Sequence, residues 1–379
     1  MPLVVSITMK VLFDARYIRT DFHDGISRYS AELGAALAEF IPVTFLIHDD
    51  AQRASLPAGA DCVLIHPPTS AKEPWTARIL NKHRPDVVFS PMQTMGTAGR
   101  RFGLILTLHD MIYYRHRTPP RDLAWPIRLG WRMFHLSYLP QRATLNAADM
   151  VATVSETSKR DFERVRLTKR PIVVIPNAPR PDDALSPYRE VPREAPTNLI
   201  YMGSFMPYKN VETLIRGMAG LPQHTLHLLS RISPQRRAEL AAIIPSGSRV
   251  VFHGGVTDEE YARLLRDNAI LVSGSKDEGY GLPLAEALAL GVSAVVSDLP
   301  IFREVAAGGA LYFAPDSPED FAEKVRKLND FEVREAVIES GSAHIRTFSW
   351  TRSAQILLTT LQSVTEKRQL ARKTRHAAS

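Results

Sequence analysis

Short runs of almost wholly apolar residues, separated by longer amphipathic stretches, recur along this chain from Val11 to Phe313. No other feature limits the possible folds so strongly. In the first half the runs are Val11-Leu12-Phe13, Val43 to Ile47, Cys62 to Ile65, Val87-Val88-Phe89, Leu104 to Leu108, Val151 to Val154 and Ile172 to Ile175. They are short, apolar and often β-branched, as strands buried on both faces are. Helical stretches lie between them, notably Ser27 to Phe40, Trp75 to His83, Asp122 to Leu145 and Thr157 to Val165. Strand–helix alternation of this kind implies an α/β, doubly wound parallel sheet.

The alternation stops between Ala178 and Asn198, where Pro179, Pro181, Pro187, Pro192 and Pro196 fall close together. Proline lacks a backbone donor and fits neither a helix interior nor a central strand, so this stretch reads as a linker. Beyond it, strands are expected at Leu199 to Met202, Leu226 to Leu229, Val250 to His253, Ile270 to Ser273, Ala294 to Ser297 and Leu311 to Phe313. Helices fit Asn210 to Ala219, Pro234 to Ile244, Asp258 to Asn268, Pro283 to Leu290 and Pro318 to Leu328. The expected organisation is a first domain over 9-180, a linker over 178-198 and a second domain over 198-348. A helix follows over about 350-368, and a basic tail over 369-379. Two such sheets are expected to leave a ligand cleft at the carboxyl ends of their strands.

Composition narrows the function classes. At 379 residues, 45% hydrophobic and 23% charged, the chain is neither disordered nor fibrous. Its net charge of +7 suits an anionic partner such as a nucleotide, nucleic acid or acidic membrane. The single cysteine, Cys62, excludes an intramolecular disulfide and a cysteine-rich zinc site. Apolar runs such as Leu104 to Leu108 are far shorter than the ~20 residues that span a bilayer. Met1 to Thr8 lacks the basic start and long apolar core of a signal peptide, so a cytoplasmic location is expected. No nucleic-acid-binding module is present, and nucleic acid is not an expected partner.

The chemistry concentrates in Ser275 to Gly291, SKDEGYGLPLAEALALG. Gly279 and Gly281 free the backbone, Pro283 suits a first helical turn, and strong helix formers follow. A glycine loop feeding a helix start offers unpaired N–H groups and a positive dipole end, which suit a phosphate. The expected donors are Gly281, Leu282 and Leu284. Glu278 on the loop and Glu286 inside the helix can accept hydrogen bonds from sugar hydroxyls, or serve only as surface charges.

With its two glutamates, EGYGLPLAE resembles the signature of the retaining glycosyltransferase family 4, whose fold is GT-B. The resemblance covers most of the chain and keeps the family's order. DGISRYSAEL at Asp24 is similar to its glycine loop and first helix, and LHDMIYY at Leu108 to its strand-end histidine. VSETSKRDF with VIPNAP is similar to its domain junction, and YMGSFMPYKNVETLI to the opening of its donor domain. HGGVTDEEYARLL, SDLPIFREV and ALYFAPDSPEDFA follow in sequence.

The resemblance implies an acceptor-side first domain, a nucleotide-sugar donor domain and a C-terminal helix crossing back to the first domain. Glu286 would hold the donor ribose, Glu278 would contact the transferred sugar, and Lys209 would meet the diphosphate. Gly203 and Val256 would line the donor site, with Val256 against the base. Gly25 would cap the diphosphate through its N–H, and His109 would reach the donor sugar. Each position also admits a structural reading: a satisfied strand-end histidine, a surface lysine, a turn glycine. Ser155 and Asn177 read as a helix N-cap and a turn residue. One departure stands out. The family commonly carries an arginine beside Gly203 or before Lys209, and Ser204 and Tyr208 stand there instead.

The expected activity is metal-independent, retaining transfer of a hexose from a nucleotide sugar to a glycan or lipid-linked acceptor by front-face attack. GDP-mannose and UDP-hexoses are the donors the resemblance implies, with polysaccharide biosynthesis as the setting. No Asp-x-Asp triplet occurs in the chain, and no cofactor or metal is expected. The alternatives are a GT-B sugar-nucleotide epimerase and a non-catalytic nucleotide-sugar-binding scaffold. Finally, Arg115 to Arg142 holds six arginines against one acid, Asp122, interleaved with Trp125, Trp131, Phe134 and Tyr138. This pattern fits docking on an anionic membrane, and hence a peripheral location at its inner face, or gripping a charged acceptor. It fits equally a helix whose aromatics face the core.

Overall fold

The computed structural model describes residues 9–20, 24–119, 125–180 and 191–377, with side chains to 374. Two compact units are present. The first comprises residues up to Asn177 together with the C-terminal helix from Trp350, and the second runs from Ala178 to Ser349.

The first unit is built on seven strands: β1 (Val11–Asp14), β2 (Val43–Ile47), β3 (Asp61–Leu64), β4 (Val87–Ser90), β5 (Gly103–Thr107), β6 (Met150–Thr153) and β7 (Ile172–Val174). All pair in parallel, in the order β3-β2-β1-β4-β5-β6-β7. The central strands are buried on both faces, which explains their near-continuous apolar sequence. Phe13 is in register with Phe45 and Phe89, and its ring lies 5.7 and 5.2 Å from theirs.

The second unit repeats the plan with β8 (Asn198–Tyr201), β9 (Thr225–Leu228), β10 (Arg249–Phe252), β11 (Ala269–Ser273), β12 (Ser293–Ser297) and β13 (Leu311–Phe313). These six are also parallel, ordered β10-β9-β8-β11-β12-β13. Strand order reverses between β1 and β4 in the first sheet and between β8 and β11 in the second. Ligands of open α/β sheets bind outside the carboxyl ends of strands at such points.

The C-terminal helix, Trp350–Ala377, packs on the first unit against helix Gly25–Ala38 and strands β4 and β5. Ala354, Leu357, Leu361 and Val364 form its buried stripe. Gly103 permits this approach, since a Cβ there would come within 2.7 Å of Val364 Cγ1. The helix does not end near Lys367, and no separate tail begins at 369. Arg368 pairs with Asp149 (3.1 Å) and Arg372 donates to the Arg101 carbonyl, so contacts continue the helix past the expected stop.

Two other expectations change. The helix expected over Asp122 to Leu145 is two, Trp125–Phe134 and Leu139–Asn146, with residues 122–124 outside those described. Pro140 accounts for the break, because its ring clashes with the carbonyl four residues earlier. A helix over Phe331–Ile345 was not expected at all. Its apolar residues follow no clean helical period. It is fixed by buried Arg334, which donates to the carbonyls of Leu328 (2.6 Å) and Pro192 (2.6 Å). That bond also ties residues 191–194 to the second unit, while 181–190, the middle of the proline-rich stretch, lie outside the described residues.

Candidate active site

In the second unit, the loops leaving β8 and β11 hang on either side of the switch point, and both carry the residues singled out by sequence. After β8 the chain makes a one-turn 3-10 helix, Pro207–Lys209, then enters helix Val211–Gly217. Between them Asn210 adopts a left-handed conformation (φ 50°, ψ 41°), which asparagine tolerates better than most residues. Its buried side-chain amide donates to the carbonyls of Gly274 (3.1 Å) and Pro315 (2.7 Å), and its Oδ1 accepts from Thr213 Oγ1 (3.0 Å). Lys276 N donates to the Tyr208 carbonyl at 2.7 Å. The turn bearing Lys209 is thereby fastened to the loop bearing Glu278. Sequence reasoning did not single out Asn210, whose role depends on partners 64 and 105 residues away.

Lys209 and Glu278 meet. Lys209 Nζ lies 2.5 Å from Glu278 Oε2, both side chains being mostly buried, and the ammonium also sits over the Tyr208 ring at 5.3 Å. Lys209, Glu278, Ser275 and Gly281 line one cavity of about 20 Å³, room for about one water.

Gly281 caps helix Leu282–Ala289 with φ 94°, a conformation that favours glycine, and a Cβ there would come within 2.9 Å of the Phe302 ring. Its carbonyl accepts from Leu284 N at 3.0 Å. The Leu284 amide is therefore consumed by the tight first turn and is not the anion donor the sequence suggested. The amides of Gly281 and Leu282 have no hydrogen-bond acceptor among the described residues. Glu286 lies one turn further, 5% exposed. Gly203 turns its N–H onto Ser230 Oγ (3.1 Å), and Val256 is half-buried in the loop after β10.

Among the described residues, no arginine pairs with Glu278 in the place left by Ser204 and Tyr208. Arg236, which donates to the Phe205 carbonyl at 3.2 Å, is already paired with Glu212 (2.5 Å) and Glu239 (3.1 Å). Lys209 is thus the cation that the loop itself supplies.

In the first unit, His109 follows β5 and is held by a 2.9 Å bond from Nε2 to the Pro91 carbonyl. That bond requires a proton on Nε2 and leaves Nδ1 as the acceptor of the neutral ring. Burial lowers its pKa, only partly offset by the Pro91 bond and the Asp24 charge. The Tyr29 ring packs edge-on at 5.1 Å. Gly25 opens helix Gly25–Ala38 next to Asp24, whose carboxylate caps it by accepting from Ser27 N (2.8 Å) and pairs with Arg19 (2.9 Å). Ser155 is an N-cap as expected, accepting from Ser158 N at 3.0 Å.

A buried ionic cluster at the carboxyl end of β1 escaped sequence reasoning. Arg16 binds Asp14 (2.7 and 2.9 Å) and Glu73 (2.7 and 3.1 Å), and Ser90 Oγ donates to Asp14 at 3.1 Å. Burial by itself would lower the Arg16 pKa, but the two carboxylates more than reverse it, so the group stays charged. Among the described residues, no group of three or more His, Cys, Asp or Glu side chains is placed to hold a metal ion. Among them, too, no helix is long and apolar enough to cross a membrane.

Comparison with known proteins agrees with this fold. Residues 23–182 match the model for Glycosyltransferase Family 4, and residues 188–344 match that for Glycosyl transferases group 1. The chain is 33% identical over 106 residues to the serotype-specific mannosyltransferase WbdA of Escherichia coli, covering 28% of this chain and 13% of that protein. It is 27% identical over 265 residues to the O-antigen chain mannosyltransferase B of Escherichia coli, covering 65% of this chain and 66% of that one. The chain therefore spans less than two thirds of these relatives. Anabaena HepE, solved in complex with UDP and glucose, superposes with a TM-score of 0.67 at 17% identity, over 94% of this chain and 100% of that one. The two family matches adjoin and between them cover most of both parallel sheets; the chain belongs to the group 1, family 4 glycosyltransferases and has their GT-B fold.

Proposed function

We propose that this protein is a retaining hexosyltransferase that moves a sugar from a nucleoside-diphosphate donor to a glycan or lipid-linked acceptor. The observation that carries the reading is the Lys209–Glu278 pair, held beside the Gly281 helix start with Glu286 buried on the same helix. A diphosphate leaving group needs positive charge, and a helix start with two unpaired amides beside an ammonium supplies it. Glu286 serves the donor ribose, Glu278 the hydroxyls of the transferred sugar, and Val256 and Gly203 the rest of the donor.

In the reaction, the bond from the sugar's anomeric carbon to the diphosphate breaks. The acceptor oxygen bonds to that carbon on the same face, and the acceptor's proton passes to the departing diphosphate. Lys209 and the amides of Gly281 and Leu282 offset the charge that develops. No side chain is needed as general base, and no metal, since the sequence contains no Asp-x-Asp triplet. The mannosyltransferase relatives favour mannose as the transferred sugar, with GDP-mannose the donor the family resemblance implies, while HepE with UDP and glucose supports a UDP-hexose as the competing donor. The protein works as a peripheral enzyme at the cytoplasmic face of a membrane.

The test is to incubate the protein with GDP-mannose or a UDP-hexose and a saccharide acceptor, with and without chelator, and follow the product by NMR. An α-linked product with release of the nucleoside diphosphate, insensitive to chelator, is expected. Inversion at the anomeric carbon overturns the mechanism. Interconversion of nucleotide sugars without transfer, or binding without turnover, overturns the activity.

A further inference from the structure

Helix Trp125–Phe134 contains no buried residue, unlike the other long helices of the first unit. Its inner side is nonetheless anchored. Trp131 packs edge-on against Tyr113 (5.2 Å) and stacks on His135 (4.1 Å), and Tyr114 stacks on His135 (4.9 Å) and Tyr138 (4.7 Å). The sequence allowed either a core-facing aromatic helix or an interfacial one. Both hold, on opposite sides of the same helix.

The outer side is the unusual one. Trp125, Leu129 and Met133, spaced i, i+4, i+8, form one stripe and are 75%, 52% and 63% exposed, and Leu136 continues the exposure at 64%. Of the thirteen large hydrophobic side chains exposed among the described residues, seven fall between Tyr113 and Leu139. Concentrated apolar exposure of this kind marks an interaction surface. Arg128 and Arg132, each one residue before a stripe residue, line one side of it, and neither has an acidic partner among the described residues. No acidic residue occurs from Trp125 to Arg142. An apolar stripe edged by unpaired arginines and capped by a tryptophan complements a surface that is apolar within and anionic at its rim.

We infer that this helix docks the protein on an anionic lipid bilayer, lying in the interface plane with Trp125, Leu129 and Met133 in the acyl boundary and Arg128 and Arg132 among the headgroups. The inference names the surface by which the peripheral enzyme proposed above reaches its membrane, and so rests on that reading. A helix in the interface plane keeps the first unit at the bilayer, where a lipid-linked acceptor is presented.

The test is flotation of the full-length protein with vesicles of phosphatidylcholine alone or mixed equally with phosphatidylglycerol. Strong binding to the anionic vesicles, weakened by salt, is expected. Arg128→Gln and Arg132→Gln should each weaken it roughly fivefold, as about 1 kcal/mol per interfacial arginine implies. Leu129→Glu with Met133→Glu should weaken it about tenfold or more, by removing buried area and adding repulsion. Leu129, Met133 and Arg132 are exposed and Arg128 is half-buried, so the variants should melt close to the wild type. Their transfer to a short water-soluble acceptor, and their thermal stabilisation by donor, should be unchanged. No binding to anionic vesicles overturns the inference, as does equal binding by the double glutamate variant. If that variant changes only the oligomeric state, the surface pairs two copies of the chain and the inference is again overturned. Loss of transfer in the wild type with intact vesicle binding would count against the proposed activity, not against this surface.

Discussion

Lys209 and Glu278, 69 residues apart in sequence, form a 2.5 Å ion pair across the loops that leave β8 and β11. The ammonium proposed to meet a diphosphate is therefore already shared with a carboxylate. Glu278→Gln should free it, tightening nucleoside-diphosphate binding by about fivefold, the worth of a partly screened pair. The same change should lower transfer by about a hundredfold, because the contact to the reacting sugar is lost. Lys209→Ala should weaken both. Calorimetry with the nucleoside diphosphate alongside a transfer assay reads the two effects separately. Equal loss of binding in both variants would show that the pair does not compete with ligand.

Asn210 holds the Lys209 turn through its left-handed backbone and two carbonyl bonds. Asn210→Ala should cost about 1–3 kcal/mol of stability from the unpaired carbonyls and the strained φ. It should also weaken donor binding without touching the donor. Asn210→Gly, which restores the φ but not the bonds, should recover part of the stability and none of the affinity. Thermal melts with and without nucleotide distinguish these.

The Arg16 cluster should behave as a buried network. Arg16→Met strands Asp14 and Glu73 and should destabilise the first unit by about 3–5 kcal/mol. Asp14→Asn should cost less, since Ser90 and Arg16 keep neutral partners. Denaturant unfolding monitored on each variant checks the order, and a tolerated Arg16→Met would show that the cluster is dispensable.

Burial lowers the pKa of His109, and burial also lowers those of His135, His224 and His227. Each is then less easily protonated in the folded than in the unfolded chain, whose histidines titrate near about 6.5. The unfolded state binds more protons below that pH. Stability is therefore complete above about pH 7 and falls as pH drops through about 6.5, by up to about 1.4 kcal/mol per pH unit for the fully buried His109 and by less for the other three, which solvent screens. Urea unfolding at pH 7.5 and 5.5 should show the loss, and His109→Gln should reduce it. A wild-type stability flat across this range would contradict the assignment of His109 as a neutral Nε2–H donor to Pro91.

Much of this was legible in the sequence, for physical reasons that can be named. Strands buried on both faces advertise themselves, so β1, β4, β5 and β11 fall where their apolar runs lie. Glu278, Gly281 and Glu286 share one loop and helix, and local spacing was enough to bring them out. Features that depend on distant partners were not legible. Arg16 looks like any loop arginine until Glu73 arrives from 57 residues away, and Arg334 until Pro192 does. Helix Phe331–Ile345 lacks a clear period, and the split at residues 135–138 hinged on reading Pro140 as a break. For helix Trp125–Phe134, periodicity showed that two faces exist; only the packing of Trp131 showed which one is covered.

The Gly281–Glu286 helix start, with Lys209 and Glu278, is the proposed nucleotide-sugar site. Its most direct measurement is the thermal stability of the wild type and of Glu286→Ala against a panel of GDP-, UDP- and ADP-sugars. A ligand that binds only the folded state stabilises it by RT ln(1 + [L]/Kd), about 2.7 kcal/mol at a hundredfold excess over Kd. One donor should raise the wild-type melting temperature, and Glu286→Ala should abolish that rise relative to its own ligand-free melt. If no nucleotide sugar shifts the wild type, or the shift survives Glu286→Ala in full, the account is contradicted.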